Sequence, residues 1–264
     1  MKIIHSDFKD NKATIQLEET HYYFVNALRR VMIAKLPKLA INDVIIYDNT
    51  SPLFDEIIAH RIAMIPIPTD LRLIGFRDEC KCNGKGCPNC TVRYTLSKEE
   101  EGLVYSGDLV PENSTFAIKD DKIPIVELFK GQRIILEVEA VLGTSEKHAK
   151  WQTVIAPTYT TEVSISFDNK NLEDVKEFLK EIPEDIVELK GNILVLKDRN
   201  KLPVLESYID KTKIDFINIK KDPAKITFNY ETDGSIKAKE ALLESSKIIQ
   251  KKYEEFDKLL QKLK

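Results

Sequence analysis

Apolar residues near the start of the chain recur at spacings that distinguish strands from helices. From Lys12 to Glu18 apolar and polar side chains alternate, which predicts a strand buried on one face. Between Thr20 and Pro37 the spacing becomes three and four residues, which predicts an amphipathic helix with Thr20 as its N-cap and Pro37 as its stop. Leu39 to Tyr47 is rich in β-branched residues and predicts a second strand. The apolar stripe of this first helix consists of Phe24, Val25, Leu28, Val31, Met32 and Leu36.

A second helix is predicted to begin at Ser51. Ser51 is a favourable N-cap, Pro52 suits the first helical position, and Pro66 closes the segment. Acidic residues near the start complement the positive end of the helix. The predicted apolar face consists of Leu53, Phe54, Ile57, Ile58, Ile62 and Ile65.

The middle of the chain changes in character, with short strands and turns around a group of cysteines. We interpret Leu71 to Thr144 as an inserted module. Its clearest strands are Val92 to Leu96 and Arg133 to Leu142, where apolar residues alternate with charged or polar ones. A further alternating strand is predicted from Tyr159 to Phe167.

The following segment predicts a small α+β unit. A helix, a hairpin that turns at Gly191 and Asn192, a second helix and two strands succeed one another. This order is typical of a ferredoxin-like insertion. The predicted elements are a helix at Leu172 to Ile182, hairpin strands at Ile186 to Leu189 and Ile193 to Leu196, a helix at Val204 to Asp210, and strands at Ile214 to Ile219 and Lys225 to Tyr230.

A long helix is predicted at the end of the chain, from Ser235 to Leu263. Its apolar residues recur at steps of three and four. A terminal stripe of this length normally docks onto another surface. The stripe consists of Ala238, Ala241, Leu242, Ile248, Ile249, Tyr253, Phe256, Leu260 and Leu263.

Length and composition place the chain among ordinary globular proteins. At 264 residues it predicts two or three domains, or one domain that carries insertions. Its 42% hydrophobic and 31% charged residues exclude low-complexity and wholly disordered classes. A net charge of −3 gives no overall electrostatic reason to bind nucleic acid, so contact with DNA is expected to be indirect. Neither a signal peptide nor a membrane span is evident, and a cytoplasmic protein without membrane contact is expected.

The cysteines form the strongest chemical signal in the sequence. All four lie at Cys80, Cys82, Cys87 and Cys90, in the pattern C-x-C-x4-C-x2-C. Thiolates are soft ligands and four of them satisfy tetrahedral zinc, while the intervening glycines permit the tight turns that such a short loop needs. Four protein ligands leave no open position for a substrate. The pattern therefore predicts one structural zinc ion.

Other fates of these thiols remain open at this stage. Two disulfides or four free thiols are the simplest alternatives, although a chain without a secretion signal should meet a reducing environment. Cys87 and Cys90 also form a C-x-x-C pair that could be redox-active, but no thioredoxin-like setting surrounds it. An iron–sulfur cluster is a further all-cysteine option.

No constellation of catalytic residues is recognisable. The four histidines are scattered, and the metalloprotease, nucleophile-elbow, phosphate-loop and dinucleotide motifs do not occur. We therefore predict no catalytic residue in this chain.

Three segments taken together resemble a known family. They are Phe24 to Arg30 (FVNALRR), Ser51 to Ile62 (SPLFDEIIAHRI) and His148 to Gln152 (HAKWQ), which occur in this order in the D-type subunits of archaeal RNA polymerase. That family is related to the third-largest subunit of the eukaryotic enzymes and to the bacterial α subunit. The resemblance extends over the whole chain, and the first two motifs are long enough to be specific.

The resemblance implies a non-catalytic role in DNA-directed RNA polymerase, which is a nucleotidyltransferase complex. The first helix and the long last helix would pair with the small subunit L, and the large subunits and other small subunits would assemble on this pair. Asp55, Glu56, His60 and Arg61 would serve structure and assembly, and the four cysteines resemble the family's zinc loop. The interface residues implied by the resemblance and the two stripes are Phe24, Asn26, Leu28, Arg29, Arg30, Met32, Leu242, Ile249, Tyr253, Phe256 and Leu260.

The resemblance also implies an α+β fold in which a discontinuous, bacterial α-like dimerisation domain carries two insertions. One is a mostly β domain with the cysteine loop, and the other is the ferredoxin-like module. Some archaeal members bind iron–sulfur clusters in that module, but this chain has no cysteine between Asp168 and Tyr230, so no cluster is expected there. The expected boundaries are 1–50, 147–167 and 223–264 for the dimerisation domain, 51–146 for the cysteine-loop domain and 168–222 for the module.

Two other classes of function fit parts of the pattern. A free-standing zinc protein that binds nucleic acid would also need the cysteine loop, and its binding would weaken with salt. A thiol oxidoreductase would need a cysteine of low pKa and no bound metal. On periodicity alone, the first helix is a core helix with Arg29 and Arg30 as solvated charges, and only the resemblance turns those residues into contacts with other subunits.

Overall fold

Helices and strands are mixed along the chain. The computed structural model describes residues 1–191, 193–198, 201–212 and 214–263. Within these ranges, no helix is both long and apolar enough to cross a membrane. The elements are β1 (Lys2–Lys9), β2 (Lys12–Glu18), α1 (Tyr22–Ala34), β3 (Lys38–Asn49), α2 (Asp55–Ala63), β4 (Thr91–Lys98), β5 (Gly102–Tyr105), β6 (Val110–Pro111), β7 (Pro124–Leu128), β8 (Ile134–Gly143), β9 (Val154–Phe167), α3 (Leu172–Glu181), β10 (Val187–Lys190), β11 (Ile193–Leu196), α4 (Leu202–Thr212), β12 (Ile217–Thr232) and α5 (Ala238–Gln261).

The strands form three open sheets. The largest has the order β1-β2-β12-β9-β11-β10, a second has the order β3-β8-β4-β6, and β5 pairs with β7. The chain divides into two compact units. The smaller consists of Met1–His5, Gln16–Tyr22 and Tyr159–Thr227, and the larger of Ser6–Ile15, Tyr23–Thr158 and Phe228–Lys264.

The core of the larger unit is built around the antiparallel pair β3 and β8. Their register runs from Lys38 opposite Gly143 to Asn49 opposite Ile134, with two irregularities that bend β3. Ile58 and Ile62 of α2 are fully buried and belong to the same apolar cluster as the inward-facing residues of β3, β4 and β8. Burying a large aliphatic side chain contributes about 1.5–3 kcal/mol, so this cluster stabilises the sheet that carries the cysteine loop.

The smaller unit has a core of its own. Val175 and Phe178 of α3 and Leu205 of α4 are buried together with Ile165 of β9 and Leu194 of β11. The hairpin of β10 and β11 pairs Lys190 with Ile193 across Gly191, whose φ of +63° lies in the left-handed region that favours glycine. Asn192, the other predicted turn residue, lies outside the described residues.

Most of the predicted elements are confirmed. The mixed α and β content, β2, α1, β3, the hairpin, α3, α4 and α5 lie where the sequence patterns place them, with ends that shift by a few residues. Helix α1 begins at Tyr22, so the residue that precedes it is His21 and not Thr20, the predicted N-cap. The two strands predicted after α4 are one continuous strand, β12. The sequence pattern does not predict strand β1, because its apolar residues Ile3 and Ile4 are adjacent rather than alternating. Both are exposed in the structure.

The predicted start of the second helix is wrong. Helix α2 begins at Asp55, and its N-cap position is Phe54. The Ser51 hydroxyl donates instead to Oδ1 of Asn49, at 2.6 Å, and this oxygen also accepts from the Ser51 N–H, at 3.0 Å. Ser51 therefore closes a turn after β3 rather than capping the helix. Phe54 and Ile57, predicted on the apolar face, are 78% and 46% exposed.

Candidate metal centre and partner surface

The cysteine loop consists of two consecutive tight turns that lead into β4. Cys80 follows a short 3₁₀ turn, Arg77–Glu79, and Cys90 directly precedes Thr91, the first residue of β4. The N–H of Asn83 donates to the carbonyl of Cys80 at 3.0 Å, and the N–H of Cys90 donates to the carbonyl of Cys87 at 2.9 Å. These turns fold the chain back so that all four thiols face a common point.

The glycines predicted to permit these turns occupy the conformation that requires them. Gly84 and Gly86 have φ angles of +77° and +81°, in the left-handed region. A Cβ at Gly86 would also lie 3.1 Å from the Arg77 guanidinium. Asn83 shares the left-handed conformation at +52°, which asparagine tolerates better than most residues.

The spacing of the sulfur atoms fits one tetrahedral metal ion. Sγ of Cys80 lies 3.5 Å from Cys87, Sγ of Cys82 lies 3.6 Å from Cys90, and Sγ of Cys87 lies 3.9 Å from Cys90. All four sulfurs lie within 4.8 Å of one another. Ligands about 2.3 Å from a tetrahedral centre are about 3.8 Å apart. None of the four cysteines is in a disulfide. The four thiols can therefore hold one metal ion.

The environment of the loop shifts the pKa values of two of the thiols in opposite directions. Hydrogen bonds from backbone N–H groups, chiefly that of Cys87, lower the pKa of Cys82 to about 6. The backbone of Cys82 lowers the pKa of Cys80, but this is outweighed by hydrogen bonds with the thiols of Cys82 and Cys87, so that the pKa of Cys80 is raised. One thiolate is thus favoured near neutral pH. Binding a metal through all four sulfurs would release the protons that remain.

The predicted interface residues of α1 differ in accessibility. Leu28 and Met32 are buried, at 5% and 0% exposure, whereas Phe24 is half-buried. Asn26 and Arg29 are also half-buried and contact each other, because Nε of Arg29 donates to Oδ1 of Asn26 at 3.1 Å. Arg30 is exposed. A partner would therefore meet the edges of this helix rather than its buried stripe.

The predicted interface residues of α5 become more exposed toward the end of the helix. Ala238, Ala241 and Ser245 are buried in the first half, and Leu242 and Ile249 are half-buried. Beyond Gln250 the same stripe lies on the surface. Tyr253 is 66% exposed, Phe256 58% and Leu260 44%, with Leu259 at 60% and Leu263 at 83% beside them.

The HAKWQ motif forms a short turn that packs against strands β3 and β8. The indole N–H of Trp151 donates to the carbonyl of Val141 at 3.1 Å, and the ring packs with Val141 and Ala40. The ammonium of Lys150 lies 4.4 Å from the centre of the same ring, and burial lowers its pKa. His148 accepts the N–H of Lys150 through Nδ1 at 3.0 Å. This histidine thus caps a short turn.

Two contacts were not predicted from the sequence. Lys38 and Asp233 form an ion pair whose side chains are only 4% and 11% exposed. Arg77 contacts both the cysteine loop, through Gly84, and strand β8, through Glu139. Neither pair could be found from sequence spacing, because the partners in the sheet are more than sixty residues away along the chain.

The fold and the site define a class of protein: a mixed α/β subunit with a four-cysteine metal loop and a last helix left partly uncovered. The chain belongs to the RNA polymerase Rpb3/Rpb11 dimerisation domain family, whose sequence pattern matches residues 14–253. The resemblance to an archaeal RNA polymerase subunit related to eukaryotic Rpb3 is therefore confirmed.

Similar chains come from several archaea. The chain is 34% identical to DNA-directed RNA polymerase subunit Rpo3 of Picrophilus torridus over 249 residues, which is 89% of this chain and 91% of that one. It is 38% identical to subunit Rpo3 of Thermoplasma volcanium over 233 residues, with 82% and 83% covered. With subunit Rpo3 of Methanosarcina acetivorans it shares 34% identity over 266 residues, with 100% and 99% covered.

Proposed function

We propose that this chain is a non-catalytic subunit of DNA-directed RNA polymerase that pairs with the small subunit L, and that the pair is the platform on which the large catalytic subunits assemble. Membership of the Rpb3/Rpb11 dimerisation domain family and similarity to subunits named Rpo3 over nearly the whole chain support this role. The active site of the enzyme would lie in other subunits. DNA would be contacted only through the complex, in the cytoplasm.

The observation that carries the proposal is the exposure of the last half of α5. Four large apolar side chains, Tyr253, Phe256, Leu259 and Leu260, lie on the surface of one helical segment. Contiguous apolar surface of this kind marks an interaction site on a globular protein. A helix of the partner that packs along this stripe would bury it at the interhelical distance of about 8–10 Å that is usual for such contacts.

Helix α1 would complete the interface at its edges. Phe24, Asn26 and Arg29 are half-buried and Arg30 is exposed, so these four side chains are accessible to partner subunits. Leu28 and Met32 would support the interface from beneath, since both are buried within this chain. Arg30 is our candidate for a contact with the large subunits, because arginine forms bidentate bonds with carboxylates on a partner surface.

The metal in the cysteine loop would be a single structural zinc ion. The four sulfur atoms fit a tetrahedral ion, and thiolates prefer zinc to the hard cations. With all four positions taken by protein ligands, the ion would hold the loop together and would perform no chemistry on a substrate. Residues 168–222 contain no cysteine, and we propose that this ferredoxin-like module works without an iron–sulfur cluster.

The chain would be organised as a discontinuous dimerisation domain with two insertions. We place the dimerisation domain at residues 1–50, 147–167 and 223–264, the cysteine-loop domain at 51–146 and the ferredoxin-like module at 168–222. The separate apolar core of α3 and α4 supports setting the module apart, whereas β3 of the first segment shares one core with α2 and β8 of the cysteine-loop domain.

Co-expression with subunit L tests the proposal. We expect the two chains to copurify as a 1:1 complex, and Phe256→Asp to abolish copurification while the chain still folds, because Phe256 is already 58% exposed. Lys258→Asp is the matched control, because it places the same carboxylate two residues later on the opposite face of α5. The replacement Leu28→Asp is less informative, since it would bury a charge inside this chain.

A monodisperse folded monomer that ignores subunit L would contradict the proposal. Unchanged pairing with Phe256→Asp would place the interface elsewhere, and equal loss with Lys258→Asp would show that the effect is not specific to the apolar stripe. Salt-dependent binding of the isolated chain to DNA or RNA would favour the alternative, a free-standing zinc protein that binds nucleic acid.

A further inference from the structure

We propose that Arg77 is a positioning residue for the metal: its guanidinium holds the cysteine loop in the shape that presents the four thiolates, and it sets both the affinity for the ion and the rate of its release. This inference rests on the proposed zinc site. It concerns a side chain that is not a ligand and that no sequence motif singles out.

The guanidinium of Arg77 lies in the bend between the second and third cysteines. Its Nε donates to the carbonyl of Gly84 at 2.9 Å. Its terminal nitrogen would lie 3.1 Å from a Cβ built on Gly86. Gly84 and Gly86 are the two left-handed glycines between Cys82 and Cys87. Arg77 therefore contacts the segment of the loop that determines how these two thiols approach each other.

The same guanidinium also binds the loop to strands β3 and β8 of the four-stranded sheet. One terminal nitrogen lies 3.3 Å from a carboxylate oxygen of Glu139 and 3.6 Å from one of Asp43. Asp43 and Glu139 are directly opposite each other in the β3–β8 pair. Glu139 also accepts from Nε of Arg93, at 3.0 Å, on its other oxygen. Arg77 thus joins the short cysteine loop to the strand pair at the centre of this unit.

Charge supplies the second part of the argument. Four thiolates with one divalent cation carry a net charge of −2, and Asp43 and Glu139 add two negative charges where Arg77 is bound. The guanidinium carries one positive charge, so Arg77 offsets one of these negative charges. Without Arg77, Asp43 would lose this cation and Glu139 would keep only its bond with Arg93. Groups that orient a metal site from beyond the ligands typically change metal affinity by about 10–100-fold when they are removed.

The test compares metal binding by the full-length chain and three variants. Arg77→Ala removes both the donor and the charge, Arg77→Lys keeps the charge but loses the planar fork, and Arg93→Ala removes a neighbouring arginine that shares Glu139 but does not bond to the loop. The zinc dissociation constant is measured by competition with a chelating dye, and release is timed after excess chelator is added. The absorption spectrum of the cobalt-substituted protein reports the geometry of the sulfur ligands.

We expect Arg77→Ala to weaken zinc binding by about tenfold or more and to speed release by a similar factor, as is usual for such supporting groups. Arg77→Lys should recover only part of the affinity and part of the slow release, since lysine keeps the charge but cannot reproduce the Nε bond to Gly84. Arg93→Ala should stay within about twofold of the parent chain. The cobalt spectrum should change with Arg77→Ala alone.

Failure of this inference and failure of the zinc proposal are distinguishable. If the parent chain binds neither zinc nor cobalt, the zinc proposal is wrong. If the parent chain binds zinc and Arg77→Ala matches its affinity and release rate, or Arg93→Ala weakens binding as much, the role of Arg77 is overturned. Circular dichroism monitors folding, and should Arg77→Ala not fold, the release rate of Arg77→Lys decides in the same way.

Discussion

The indole ring of Trp151 lies directly against the backbone of Gly143. A Cβ built on Gly143 would overlap the indole ring of Trp151, so only glycine lets the ring lie on β8. We expect Gly143→Ala to lower the free energy of unfolding by about 1–3 kcal/mol through overpacking. Gly75→Ala is the control, because its Cβ would have ordinary contact at 4.0 Å and should change stability by less than about 0.5 kcal/mol. Urea unfolding measures both, and equal midpoints would contradict the expectation.

The buried ion pair between Lys38 and Asp233 is the second prediction at this scale. Lys38→Met leaves Asp233 without its cation in a position that is only 11% exposed, and we expect a loss of about 3–5 kcal/mol. Lys12 and Glu231 form an ion pair whose side chains are 66% and 52% exposed. Lys12→Met removes this pair and should lower the free energy of unfolding by at most about 1 kcal/mol. Similar losses in the two variants would mean that burial of the first pair has no energetic consequence.

Among the elements, α5 packs within the chain only over its first half. Residues 251–263 are all exposed, so they contribute little apolar burial to this chain. We expect a chain that ends at Gln250 to keep its thermal midpoint within about 2 °C, since exposed residues contribute little to stability. The same chain should lose pairing with subunit L. Differential scanning calorimetry and copurification measure the two effects, and a large drop in the midpoint would show that this segment packs within the chain.

Sequence patterns predict elements better than they predict what the elements face. The apolar spacing of α5 predicts the helix. It cannot show that Ala241 is buried while Phe256 on the same stripe is exposed, because exposure depends on how far along the helix other parts of the chain pack against it. Spacing also predicts the four ligands of the metal loop, since they are close in sequence. It cannot predict Arg77, whose carboxylate partner Glu139 is brought near only by the pairing of distant strands.

At the scale of the whole molecule, the metal loop should stabilise a region rather than the fold. The backbone hydrogen bonds within the loop, such as those from Asn83 and Cys90, each close a single turn, whereas the sheet beneath it has a large apolar cluster. We expect removal of the metal by a chelator to leave the helical circular dichroism unchanged and to open the loop, because metal binding supplies the loop's own folding free energy. Trypsin should then cut at Lys81 and Lys85, both exposed. Mass spectrometry identifies the cuts, and restored zinc should suppress them. Resistance to trypsin without metal would contradict this.

The uncovered end of α5 also has a consequence for supply inside the cell. Without a partner, a chain whose last helical turns expose apolar side chains can cover them by associating with further copies of itself. We therefore expect production of this subunit beyond the amount of its partner to give aggregates or degradation of the excess. The number of surviving copies then follows the number of partners available to shield the stripe.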